Sequence, residues 1–286
     1  MLSYRHGFHA GNFADVHKHV ALVTLLRAMR RKEKPFTYVD THAGAGAYAL
    51  EESSSRVAEW REGIARLREV AAQHPAGLPA SVSDYLALVD AAASGGDTAG
   101  DAAAATADPL YPGSPSLAQA LLREQDRAML IELHTSEAPR LKARFRGDRR
   151  VAVHAPRDAR EGLRAVLPPS TPRGLVLIDP SYERVEEYDE TARLIGVVRR
   201  RWSTAAVAVW YPLLGGPRRN RHRRLFEAVK PLGLPEIARD ELCVADPARS
   251  GLIGSGLLVI GAPWPYVRDW PAISAWLTQA LAAPAG

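Results

Sequence analysis

The chain has 286 residues, 47% hydrophobic and 24% charged, which excludes wholesale disorder and supplies a core for one large α/β domain or two ordinary ones. Lysine plus arginine exceed aspartate plus glutamate by 37 to 32, a net charge of +5 that suits a polyanionic partner without identifying one. The single cysteine, Cys243, excludes an internal disulfide and a multi-cysteine zinc site, fits a reducing cytoplasm, and is predicted to lie in the core by its apolar neighbours.

The amino-terminal stretch, residues 1–19, packs polar and aromatic side chains ahead of any core strand. His6, His9, His17 and His19 invite a metal reading, but they follow no zinc-ligand spacing, so cofactor or substrate contacts are expected and no metal. The apolar run Val20 to Leu26 is too short for an export signal, and no later segment approaches the ~18 apolar residues of a membrane span. A cytoplasmic location with no membrane association is the expectation.

A first strand is predicted over Phe36 to Asp40, running into the glycine-rich turn Thr41-His-Ala-Gly-Ala-Gly46. Gly44 and Gly46 allow close backbone approach to a ligand, as in nucleotide, dinucleotide and S-adenosylmethionine folds alike. The turn lacks the third glycine of a dinucleotide fingerprint and the Lys-Ser/Thr pair of a P-loop. Residues 51–110 then form an insertion too long for a βα connection. Val57, Trp60, Ile64, Leu67 and Val70, followed by Tyr85, Leu86 and Val89, recur at helical spacing and predict a small helical subdomain. The Ala, Gly, Asp and Thr of about 94–109 show no periodicity and predict a flexible loop.

Further strands are predicted over Ala128 to Glu132, Arg150 to His154, Gly174 to Asp179, Ala205 to Trp210, Glu241 to Ala245 and Gly256 to Gly261. Helical patterns separate most of them, which implies a mostly parallel sheet covered on both faces. The last two are joined by Asp246 to Ser255, too short for a crossover helix, so a carboxyl-terminal antiparallel hairpin is predicted. Seven strands, the last reversed, outline a Rossmann-like class I methyltransferase with a helical insertion. The methyltransferase domain would comprise residues 1–50 and 111–286, with residues 1–26 as an amino-terminal segment ahead of the first strand.

Besides Asp40, acids stand at or just beyond three further strand ends. Glu132 can accept from both ribose hydroxyls of a nucleoside, and Asp158 after the third strand can accept from a cofactor adenine amine. Asp179 opens Asp-Pro-Ser-Tyr182, where proline stops the ladder at the carboxyl edge of the sheet. Adenine's exocyclic nitrogen is a poor nucleophile because its lone pair is delocalised into the ring. A carboxylate and a backbone carbonyl that accept from its N–H groups favour localising that pair, while Tyr182 holds the base by stacking. Arginines crowd at Arg199 to Arg201 and Arg218 to Arg224, where they suit either a phosphate backbone or a solvated helix face.

Together these segments resemble the RlmJ family of 23S rRNA adenine-N6 methyltransferases. The likeness runs in order through Met1-Leu-Ser-Tyr-Arg-His6, Phe8-His-Ala-Gly-Asn12, Ala14-Asp-Val16, Lys18-His19, Asp40 to Gly46, Tyr111-Pro-Gly-Ser-Pro115, Leu122 to Asp126, Glu132-Leu-His134, Asp179-Pro180 and Trp210-Tyr-Pro212. What the resemblance implies is S-adenosylmethionine as methyl donor, 23S rRNA as partner, a monomer, and a cofactor-contacting helix ahead of the first strand. It assigns His19, His42, Ser114, Glu132, Asp158, Ala159 and Asp179 to the cofactor, Asp179 to catalysis as well, and Tyr4, His6 and Lys18 to the RNA. The family tetrapeptide is Asp-Pro-Pro-Tyr. Ser181 replaces its second proline here, which bears on loop rigidity more than on chemistry.

Three other functions compete. An adenine-N6 DNA methyltransferase would share the loop but needs base flipping from a duplex and a target-recognition domain, and none is evident. A catalytically silent RNA-binding module is disfavoured by the retained acids and Tyr182. A nicotinamide dehydrogenase has no use for the Asp-Pro-x-Tyr loop.

Overall fold

A computed structural model describes residues 9–50, 58–94 and 110–282. Tyr4, His6 and the loop expected over 94–109, from residue 95 on, lie outside the described residues. The Asn12 side chain accepts from the backbone N–H groups of Ala14 and Asp15, which caps helix α1, Phe13–Arg30. Every residue of α1 except Arg27 and Arg30 is buried. A helix enclosed on all sides must pair its polar groups internally, and this one carries Asp15, His17, Lys18 and His19.

Strand β1, Thr37–Asp40, leads through the glycine turn to a short β2, Ala47–Ala49. Helices α2, Ile64–Gln73, and α3, Ala80–Ala93, follow, then β3, Leu110–Pro112, which pairs antiparallel with β2. The stripe residues Ile64, Leu67, Tyr85 and Val89 join the main core beside α1 rather than forming a core of their own. The β2–β3 ladder has no counterpart in the sequence pattern, because three-residue strands show no usable period.

The chain continues as α4 (Ser114–Leu121), β4 (Arg127–Ile131), α5 (Glu137–Arg144), β5 (Val151–His154), α6 (Ala159–Val166), β6 (Gly174–Ile178) and α7 (Glu187–Arg201). It closes with β7 (Ala206–Gly215), α8 (Arg223–Val229), β8 (Ile237–Cys243), β9 (Gly251–Ile260) and α9 (Trp264–Leu281). The seven-stranded sheet has the order β5-β4-β1-β6-β7-β9-β8. Strands β5, β4, β1, β6 and β7 are parallel, and β9 runs antiparallel between β7 and β8. This is the class I methyltransferase arrangement that the strand pattern predicts.

Alternating residues divide the core between the two faces. Tyr38, Leu130, Leu177 and Ala208 pack on the side of α1, α4 and α9, whereas Val39, Ile131, Ile178 and Val209 pack on that of α6 and α7. Three expectations need correction. Strand β7 runs on to Gly215, and the hairpin strands start at Ile237 and Gly251, earlier than their most apolar stretches suggest. Cys243 is exposed, because β8 is an edge strand that alternates and turns Leu242 inward instead. The arginines of Arg199 to Arg201 are partly structural: Arg199 and Arg201 donate to the carbonyls of Ser203 and Leu167.

Candidate active site

Chain order reverses where β1 lies between β4 and β6, and in such sheets ligands bind beyond the strands' carboxyl ends at that switch point. A cavity of about 880 Å³ opens there. It is lined by Lys18, His19, His42, Ser114, Glu132, Asp158, Ala159, Asp179 and Tyr182, so every described residue assigned from the sequence reaches one site. The volume lies within the usual ~300–1,000 Å³ range for small-molecule sites.

At one end, β6 stops at Ile178 and presents Asp179. The Lys18 ammonium donates to Asp179 Oδ2 at 2.6 Å and to Asp15 Oδ1 at 2.8 Å. Burial opposes the charge on Lys18, but Asp15 and Asp179 outweigh it and hold the pKa well above the ordinary lysine value. Lys18 therefore lines the cavity with its charge shared between two carboxylates. Removing Lys18 leaves two neighbouring carboxylates without their shared counter-charge, whereas removing either carboxylate leaves Lys18 paired with the other. Asp15 lies in a segment that carries the family likeness but has no role assigned from it; its position three residues before Lys18 on a helix is the signal for the ion pair.

Tyr182 has φ of 52°, a left-handed conformation that strains a bulky residue by about 1–2 kcal/mol. Its hydroxyl donates to the Trp210 carbonyl at 2.9 Å, and its ring centre lies 4.5 Å from that of Tyr188. The ring is buried, with one flank filled by Tyr188, so its contribution to the cavity is partial. Trp210, half-buried and lining the same cavity, stands 6.0 Å from both the Tyr182 ring centre and the Lys18 ammonium.

The other end is built from turns. Glu132 Oε2 accepts from the Gly44 N–H at 2.6 Å, and Oε1 accepts from the His134 N–H at 2.5 Å. Burial raises the Glu132 pKa against the pull of these two bonds. Gly44 has φ of 58°, and a Cβ there would collide with the Tyr48 hydroxyl, so only glycine fits. Asp158 caps α6 through Oδ1, which accepts from Arg160 and Glu161 N–H groups. Ala159 begins that helix.

Beneath the turn, Asp40 is fully buried. Its Oδ2 accepts from the Tyr38 and Ser114 hydroxyls, each at 2.7 Å, and Oδ1 from the His42 N–H at 3.2 Å. Burial pushes its pKa up to about 6, outweighing these bonds. Burial likewise pushes the His42 imidazole down to about 4, which leaves it neutral at physiological pH. His19 pairs with the Tyr111 hydroxyl at 2.9 Å, and Tyr111 with Tyr85 at 2.8 Å, tying α1 to α3. The sequence shows Asp40 only as a strand-end acid; its hold on Ser114 depends on a contact 74 residues away.

Comparison with known proteins places the geometry in a family. A family model described as "Ribosomal RNA large subunit methyltransferase D, RlmJ" matches residues 33–286. The chain is 38% identical over 283 residues to Ribosomal RNA large subunit methyltransferase J of Haemophilus influenzae, covering 98% of this chain and 94% of that protein. It is 39% identical over 288 residues to the Escherichia coli protein of the same name, covering 100% and 96% respectively. A crystal structure of a Legionella pneumophila protein superimposes with a TM-score of 0.79 at 32% identity, covering 96% of this chain and 94% of that one. On this sequence match, extending across nearly the whole fold, the chain belongs to the ribosomal RNA large subunit methyltransferase J family.

Proposed function

We propose that this chain transfers a methyl group from S-adenosylmethionine to the exocyclic N6 amine of an adenine in 23S rRNA. The observation that carries the reading is the Asp179 carboxylate at the sheet's carboxyl edge, oriented by Lys18, in the same cavity as Glu132. Membership of a family named for methylation of large-subunit ribosomal RNA supports the substrate class. A cytoplasmic monomer acting on this RNA completes the proposal.

The residues present suit the methyl donor. The left-handed turn at Gly44 holds Glu132 at the cavity wall through its N–H, and Glu132 retains acceptor capacity beyond its two backbone bonds. Glu132 would take the ribose hydroxyls and Asp158 the adenine amine, with His19, His42, Ser114 and Ala159 around them and Asp179 near the methyl group. When bound, S-adenosylmethionine supplies an electrophilic methyl on a sulfonium.

On the substrate side, Lys18 occupies Asp179 Oδ2 and leaves Oδ1 to accept from the target amine. Together with a loop carbonyl it aligns the nitrogen lone pair for in-line attack. Loss of the amine proton follows attack, when the nitrogen has become cationic and solvent can take it. Tyr182 contributes an aromatic wall beside the loop, its backbone strain offset by the bond to Trp210. Tyr4 and His6 complete the RNA side of the proposal.

The test is to incubate the protein with labelled S-adenosylmethionine and unmodified 23S rRNA or duplex DNA, digest, and identify the labelled nucleoside. Label on N6-methyladenosine from the rRNA is expected. Label on another nucleoside refutes the adenine reading, and label only on DNA returns the chain to the DNA methyltransferase alternative.

A further inference from the structure

A chain of hydrogen bonds, fully buried at its centre, starts at the cavity wall and leaves the site. The Trp210 indole N–H donates to Ser255 Oγ at 2.9 Å. Ser255 Oγ lies 2.9 Å from His17 Nδ1, and His17 Nε2 lies 2.8 Å from Asp240 Oδ2. The Ser274 hydroxyl donates to Asp240 in turn. Indole is a donor only, so Ser255 accepts from it and is free to donate to His17 Nδ1. His17 with its proton on Nε2 then donates to Asp240, and the order Trp210, Ser255, His17, Asp240 satisfies every group.

The components are expensive to keep where they are. His17 and Ser255 are fully buried, and each polar group taken from water requires a partner. The Trp270 ring, 5.7 Å from His17, packs beside the imidazole. Four elements, α1, β7, β8 and β9, thus meet on the orientation of one indole, the end of the chain that reaches the cavity. Tyr182, the aromatic residue of the loop itself, is buried and flanked by Tyr188, whereas Trp210 is half-buried and faces Lys18 and Tyr182.

We propose that the Trp210 indole is a second wall of the target-base pocket, and that His17 acts through Ser255 as a positioning residue for it. The proposal rests on the adenine reading above and deepens it by naming what holds the base. A planar ring stacked on an aromatic wall is worth roughly ten- to a hundred-fold in binding. The wall does no chemistry, so its loss falls on the RNA KM and spares cofactor affinity.

The experiment uses the full chain with transcribed, unmodified 23S rRNA and four variants, Trp210→Ala, Trp210→Phe, His17→Gln and the double variant His17→Gln/Trp210→Phe. Trp210→Ala should raise the RNA KM by about ten- to a hundred-fold, with cofactor Kd within about two-fold of wild type. Trp210→Phe keeps a ring and should recover most of that loss. His17→Gln should raise the RNA KM several-fold in the wild-type background and hardly at all beside Trp210→Phe, where the indole N–H it serves is already gone. An unchanged KM in a folded Trp210→Ala variant overturns the wall. An equal effect of His17→Gln in both backgrounds, or a loss of thermal stability with no KM change, makes His17 a structural residue and overturns its positioning role. The labelled nucleoside from wild type separates the two claims. Label elsewhere than adenosine defeats the substrate reading, while the RNA KM of the same variants still judges the wall.

Discussion

At the end of the cavity proposed for the cofactor, Glu132 is held by the backbone N–H groups of Gly44 and His134, each from a turn at a strand tip. At the end proposed for methyl transfer, Asp179 is held by a side chain 161 residues away, the Lys18 ammonium, which Asp15 also shares. The first end is rigid because a main-chain turn that only glycine can make brings its donor to the acid. The second is rigid because one buried ammonium is shared by two carboxylates, and the orientation of Asp179 depends on that single contact. Changes at the cofactor end should therefore act on affinity in graded steps, and changes at the reacting end should act abruptly on rate.

The largest expected effect is at Asp179. Asp179→Ala should abolish transfer to RNA in single turnovers at saturating cofactor, because it removes the acceptor for the amine and leaves Lys18 with Asp15 alone. Asp179→Asn keeps an acceptor oxygen without the negative charge and should leave a severe but incomplete loss. Near-wild-type transfer by the alanine variant would defeat the catalytic assignment. Cofactor Kd must be measured in both, since the same side chain is assigned near the methyl donor.

Next comes Asp40, which lies under the cofactor turn but behaves as a buried charge like those at the reacting end. Its folded pKa of about 6 exceeds the ordinary 3.8, so the folded state holds this proton more tightly than the unfolded chain. The stability it contributes is fully present below pH 3.8 and is lost as pH rises through about 6. Over that window the shift amounts to about 3 kcal/mol. Asp40→Asn cannot titrate, so urea unfolding should show its stability relative to wild type improving between about pH 4 and pH 7 and levelling above. A difference that does not change with pH would remove Asp40 from the list of buried charges.

Glu132→Ala tests the graded end. Charge-assisted bonds to the ribose hydroxyls contribute about 1.5–3 kcal/mol each, so cofactor Kd should rise by roughly ten-fold or more. The single-turnover rate at saturating cofactor should stay close to wild type. An unchanged Kd by calorimetry would take Glu132 out of the cofactor site, and a collapsed rate would show that the two ends are not separable.

The same contrast explains what the amino-acid sequence reveals and what it hides. Strand-end acids and glycine turns are local features, so Glu132, Asp158, Asp179 and the Gly44 turn are legible in the sequence alone, as is the seven-stranded outline of the fold. Partnerships are not, because Lys18 with Asp179 and Ser114 with Asp40 depend on which elements become neighbours in space. Tyr182 is a third case: its ring is legible as an aromatic, but its positive φ and its packing on Tyr188 are not. Cys243 misleads for a plainer reason, since an edge strand with charged residues turned outward hides which of its apolar neighbours faces in.

The smallest expected effect lies outside both ends, on the arginines of the segment 218–224. The structure divides them. Arg224 donates to both Asp189 oxygens and already has a counter-charge, whereas Arg218 is exposed and lines the cavity rim, with Arg219 exposed next to it. Binding a phosphate releases condensed counterions, and each contact adds about 0.7–0.9 to the slope of log affinity against log salt. Arg218→Gln should therefore flatten the salt dependence of 23S rRNA binding by nearly one unit, whereas Arg224→Gln should change it less, because that guanidinium would first have to give up Asp189. Neither change should alter the single-turnover rate once RNA is saturating, which separates capture from chemistry. Identical slopes for wild type and Arg218→Gln would return this stretch to a solvated surface, and a larger effect at Arg224 than at Arg218 would mean that the RNA path crosses α7 and α8 instead of entering along the cavity rim.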